Sequence, residues 1–142
     1  MAEFAMLPGA QTGMLMKRIL ACLLALGLLQ GCSDYTVEAQ IHTLGDEFFT
    51  PQAWAGADQV GRGRMLASFL SQYPPERLSG DEVRDLLGEP TGAAERPEDL
   101  AYFVGPTTVE SRYGKGYLLI FLIDRQTGKV TQVRIFPPVT IA

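Results

Sequence analysis

The stretch LSGDEVRDLLGEP, residues 78–90, decides how this chain is to be folded. Ser79 stands three places before Glu82, the spacing of a capping box. In that motif the serine hydroxyl accepts one orphan N–H of the first helical turn and the glutamate reaches back for another. Val83, Leu86 and Leu87 gather on one side of the helix that follows, and Asp81, Glu82 and Asp85 sit where the N-terminal dipole favours anions. Gly88 supplies a stop with positive φ and Pro90 prevents any continuation. A helix this short is not stable alone; its apolar stripe has to be buried against something else.

Working upstream, Pro74-Pro75 closes a second helical pattern. Met65, Leu66, Phe69, Leu70 and Tyr73 form one face of a helix expected over residues 60–73. Before it, Thr50 and Pro51 look like the N-cap and first position of a single turn that carries Trp54 and breaks at Gly56. Working downstream, three strand signals follow a polar turn at residues 96–99. They are residues 100–104, the continuous apolar run 117–123, and the alternating run 130–136, in which Thr131, Val133 and Ile135 are expected on one side. Residues 124–128 make a hairpin loop with Gly128 where φ must be positive. Residues 105–116 are expected to be a long, adaptable loop holding Arg112, Tyr113 and Lys115. The order is helix, helix, then a three-stranded antiparallel meander: a two-layer α+β domain with both helices on one face of the sheet.

The amino-terminal third has a different character. Residues 19–29 are almost wholly apolar, eleven residues that would rise about 16 Å as a helix against a bilayer core of about 30 Å. Lys17 and Arg18 precede them, so the segment fits the charged and hydrophobic regions of a secretory signal, residues 1–31. Glu3 and the lack of a basic residue in residues 1–13 place the expected translation start at Met14 or Met16. The end of the run, Leu29-Gln30-Gly31-Cys32, resembles the lipobox of bacterial lipoproteins. That resemblance implies cleavage between Gly31 and Cys32 and attachment of a diacylglyceryl group to the Cys32 thiol, with the new amine usually acylated. Two or more chains, at about 0.8 kcal/mol per buried methylene, make a stable anchor. Ser33 after the cysteine implies the outer membrane by the enteric sorting rule, while Asp34 one place later is the position other bacterial groups weigh. Residues 32–46 are then expected to be a lipidated tether and residues 47–142 the folded domain.

The capped helix of residues 78–90, the aromatic pair Tyr102-Phe103 and the terminal hairpin with Asp124-x-x-x-Gly128-Lys129-Val130 together resemble the SmpA/OmlA domain. The likeness covers roughly residues 62–136. It implies a BamE-like fold with an ααβββ order, similar to the repeats of β-lactamase inhibitor protein (BLIP-like). It also implies a place among proteins that support β-barrel assembly or envelope integrity.

Composition narrows the function further. Removing residues 1–31 takes Glu3, Lys17 and Arg18 from 12 basic and 16 acidic residues, leaving 10 against 15. A net charge of −5 with scattered arginines is a poor nucleic-acid binder. With Cys22 removed and Cys32 acylated, no thiol would remain for a disulfide or redox site. His42, the only histidine, falls in the expected tether, and a lone histidine builds no common zinc centre, so no metal or cofactor is expected. No G-x-S-x-G elbow or phosphate loop is present, and capping accounts for the carboxylates at 81–85. The chain is therefore expected to be no enzyme. Trp54 admits two assignments: a plug between the first segment and the sheet, or, with Arg112, Tyr113 and Tyr117, an anchor for a partner protein. The leading expectation is a lipid-anchored, non-catalytic interaction module facing the periplasm from the outer membrane, held there through Cys32. The alternative is a periplasmic inhibitor or small-ligand-binding lipoprotein that uses the open face of the sheet.

Overall fold

Thr36, Thr50, Asp58 and Ser79 each accept a hydrogen bond from the backbone N–H three residues further on. These caps start the four α-helices of the computed structural model, which describes residues 36–140. The helices are α1 (Val37–His42), α2 (Pro51–Gly56), α3 (Gln59–Gln72) and α4 (Gly80–Leu87), with a 3-10 turn at Pro75–Arg77. The strands are β1 (Leu100–Val104), β2 (Glu110–Ser111), β3 (Gly114–Lys115), β4 (Tyr117–Ile123) and β5 (Val130–Phe136). β1, β4 and β5 form one antiparallel sheet in the order β1-β4-β5, and β2 and β3 pair as a separate small hairpin. The architecture is mixed α+β. The signal peptide and the modified Gly31–Cys32 junction expected above lie outside the described residues.

Side chains from all four helices bury with the inward residues of the sheet. Ile41, Trp54, Leu66, Phe69, Val83 and Leu87 join Leu100, Tyr102, Val104, Leu119, Phe121 and Ile135 in one cluster. Five rings close a circuit at its centre. Phe49 meets Trp54 at 6.1 Å and Phe69 at 4.9 Å, Trp54 meets Tyr102 at 6.4 Å, and Phe121 meets Tyr102 at 6.0 Å and Phe69 at 6.2 Å. All five contacts are edge-to-face, the arrangement the ring quadrupoles favour by about 0.5–1.5 kcal/mol per pair beyond area burial. Close approach of α3 to the sheet is permitted by a glycine: a Cβ on Gly63 would stand 2.9 Å from the backbone N of Gly105.

Both outer strands have part of their edges covered. On β5, the Val130 N–H donates to Leu78 O at 2.9 Å, and beside it the Gly80 N–H donates to Gly128 O at 2.9 Å. On β1, the N–H groups of Thr91 and Gly92 both donate to Ala101 O, and the Phe103 N–H donates to Thr91 Oγ1 at 2.8 Å. Such cover protects an edge from pairing with another chain.

The structure corrects the sequence reading at four places. The expected spacer through residue 46 is folded from Thr36 onward: Ile41 is 1% exposed in the core, and Gln40 Oε1 accepts the Val139 N–H at 2.8 Å. The folded body therefore begins before residue 47. The expected loop at 105–116 contains the β2–β3 hairpin. Thr131 is not on the core side. The ladder pairs Leu122 with Gln132 and Ile123 with Val130, so Thr131 is the extra residue of a bulge; its hydroxyl donates to Leu122 O and Val130 takes the inward place. At α4, Glu82 directs its carboxylate to the Ser79 hydroxyl at 3.2 Å, and the Gly80 N–H turns to Gly128 O. The capping box is thus merged with the β4–β5 turn.

Candidate interaction surface

Helices occupy one face of the three-stranded sheet, and the residues of opposite parity form the other. On that outer face Phe103 is opposite Leu118, which is opposite Phe136; Ala101 is opposite Ile120, which is opposite Arg134; and Leu122 is opposite Gln132. Ala101 and Leu118 are buried, Phe103, Ile120 and Leu122 are half-buried, and Gln132, Arg134 and Phe136 are exposed. Two features provide the partial cover. Gly92 lies so close that a Cβ there would be 2.5 Å from Leu118 Cδ1, and Gly114, with φ +140°, presses against the Phe103 ring. Both positions exclude a side chain, and the positive φ at Gly114 favours glycine on its own account.

At one end of this face the β2–β3 turn delivers Arg112 and Tyr113 onto Phe136. Tyr113 and Phe136 meet edge-to-face with centroids 5.4 Å apart, and the Arg112 guanidinium lies 4.9 Å from the Tyr113 ring and 5.6 Å from the Phe136 ring. Glu95 completes the group: its Oε1 accepts from Arg112 at 2.8 Å and from the Tyr113 hydroxyl at 3.2 Å. The Tyr113 hydroxyl also accepts from Arg112 at 2.8 Å, and this contact above all raises the Arg112 pKa beyond its already high ordinary value. The result is a charged, ring-backed patch whose side chains hold one another in place, with Phe136 36% exposed. Such preordering lowers the entropy lost when a surface of this kind is covered. Arg134 donates to Gln132 at 3.3 Å, and among the described residues no carboxylate lies within ion-pair distance of it.

The four residues expected as a partner anchor are therefore separated. Arg112 and Tyr113 are together at the surface. Trp54 is 1% exposed, its indole N–H donates to Leu87 O at 2.8 Å, and it cannot serve as an anchor in this fold; the plug assignment describes its position. Tyr117 points to the helix side, half-buried, with its ring over Gly105. Phe136 and Glu95 were missed by the sequence reading. The β5 alternation turns Phe136 outward, which was a usable signal, but nothing local pairs Glu95 with a hairpin 17 residues away. Among the described residues Phe48, 72% exposed, is the other exposed large apolar side chain.

Shallow clefts lie elsewhere among the described residues. One of about 260 Å³ separates the start of α4 from the β4–β5 turn, and one of about 320 Å³ lies between α2 and α4, where Arg62 stacks 5.1 Å from the Trp54 ring beside Asp85 and Glu89. Among the described residues no three metal-type ligands converge, and no helix is long and apolar enough to cross a membrane. Compared with protein-family models, curated proteins and solved structures, the chain finds no match.

Proposed function

We propose that this chain is a lipid-anchored, non-catalytic interaction module on the periplasmic side of a bacterial outer membrane, built on an SmpA/OmlA-like (BamE-like) domain and supporting envelope assembly or integrity. The observation that carries the reading is Leu29-Gln30-Gly31-Cys32 behind a basic pair and eleven apolar residues, which places a small residue and a thiol where lipidation chemistry needs them. The order of elements is compatible with the BLIP-like arrangement that the resemblance implies: a helix capped by Ser79 and ended at Gly88 precedes an antiparallel β1-β4-β5 sheet. The surface for a partner is the outer sheet face, where Ile120, Leu122 and Phe136 surround Arg134 beside the Arg112–Tyr113 pair. Aromatic and arginine side chains of this kind dominate protein–protein contacts.

The test has two arms. The intact mass of protein extracted from envelopes should correspond to a chain starting at an acylated Cys32, and Cys32→Ser should leave the leader uncleaved. In mild detergent the native protein should co-purify with β-barrel assembly components, and the Tyr113→Ala/Phe136→Ala double variant should lose them. A bare thiol at the mature terminus would remove the anchor. Solitary purification of an acylated protein would instead favour the alternative inhibitor role, which draws on the same open face.

A further inference from the structure

We infer that the folded body is held directly against the bilayer, with the α1 end toward the lipid and the β4–β5 turn away from it. The inference rests on the acylation of Cys32 proposed above. Only Ser33, Asp34 and Tyr35 separate Cys32 from Thr36, so the two ends lie at most about 14 Å apart at full extension. A spacer running to residue 46 would have allowed roughly 50 Å.

Thr36 is also not a loose end. Its hydroxyl accepts the Ala39 N–H at 3.2 Å and its carbonyl accepts the Gln40 N–H at 3.1 Å, so it is fixed to α1. α1 is in turn fixed to the body through Ile41 in the core and through Gln40 Oε1, which accepts the Val139 N–H at 2.8 Å.

Those contacts also define an orientation. Val139 follows Phe136, the end of β5, and Leu44, just past α1, lies beside Gly105 at the end of β1. Both therefore belong to the sheet end where Leu118 pairs with Phe136 and Val104 with Tyr117. The turn at residues 124–128 is at the opposite end, about 20 Å away along β5. A body of this size has a radius of gyration near 13 Å, so its whole surface lies within roughly 50 Å of the headgroups. The outward residues of α1 are Thr36, Glu38, His42 and Thr43, a polar set suited to contact with headgroups rather than insertion.

Labelling tests this directly, because no native thiol competes once residues 1–31 are removed and Cys32 is acylated. Full-length Glu38→Cys and Gln126→Cys proteins, both at exposed positions, are purified in acylated form. They carry a fluorophore and are reconstituted into phosphatidylethanolamine–phosphatidylglycerol vesicles containing a headgroup nitroxide lipid. The label at position 38 should be quenched severalfold more than the label at 126. Inserting a Gly/Ser linker of about 20 residues after Asp34, with a root-mean-square span near 25 Å, should erase that difference. Equal quenching at the native spacing, or a difference that survives the insertion, overturns the inference while leaving the anchor intact. Failure to bind vesicles together with a mass lacking acyl chains removes the anchor and the inference with it.

Discussion

Trp54 shows how one side chain joins three elements. Its ring closes the aromatic circuit, its indole N–H satisfies Leu87 O at the end of α4, and its own carbonyl accepts Arg62 Nε at 3.0 Å while the guanidinium stacks on the ring. Trp54→Phe keeps most of the apolar surface but leaves a buried carbonyl without its donor. A loss of about 1–3 kcal/mol is expected from urea unfolding, and a change within error would mean that water replaces the indole. Ser79→Ala should cost about 1 kcal/mol in the same assay. The Ser79 cap was legible in sequence because its partner Glu82 is three residues away; the Trp54 bond was not, because Leu87 is 33 residues away and offers only a backbone oxygen.

At the scale of elements, α1 is the segment whose role changed most. Beyond the cap Thr36, its six residues carry few sequence signals other than Val37 and Ile41, and an isolated helix of that length is not stable. It exists because Ile41 finds the core and Gln40 finds Val139. Ile41→Ala should therefore lower stability by about 2–5 kcal/mol, as for other fully buried aliphatic side chains. If residues 36–46 were only a spacer, the urea midpoint would not move. The three long strands, by contrast, were legible to the residue, since continuous apolar character in β4 and turn residues at 96–99, 105–106, 124–128 and 137–138 mark their limits. The β5 bulge was hidden because register is a property of two strands, and a single extra residue reverses which side chains face inward from that point.

For the molecule as a whole, two groups are expected to contribute a pH dependence to stability from opposite sides. The Arg125 guanidinium first, then the backbone and Arg96, hold the Glu98 carboxyl at about 2, against 4.5 for an ordinary glutamate, despite the opposing effect of partial desolvation. Its folded value is depressed, so its contribution is present above about pH 4.5 and disappears as pH falls toward 2. Glu98→Gln should flatten stability across that window, measured by urea midpoints at stepped pH. Burial pushes the Tyr102 hydroxyl, which donates to Gly88 O at 2.8 Å, up to about 12. Its folded value is raised, so stability is retained below pH 10 and lost as pH rises toward 12; Tyr102→Phe should weaken that alkaline loss. An unchanged acid profile in Glu98→Gln would assign acid unfolding to other carboxylates.

The Thr50 and Ser79 caps, the boundaries of the three long strands and the mixed α+β class could all be read from the chain alone. Each of these is written in residues within a turn or two of one another, where backbone propensity and local hydrogen bonding act. Long-range packing was needed to bring residues 36–44 into the body, to turn Trp54 and Tyr117 inward, and to gather Glu95, Arg112, Tyr113 and Phe136 on one face. Those outcomes depend on which apolar surfaces meet across long stretches of chain. Burial is decided there by the fit of the whole core, and the local pattern carries no record of it.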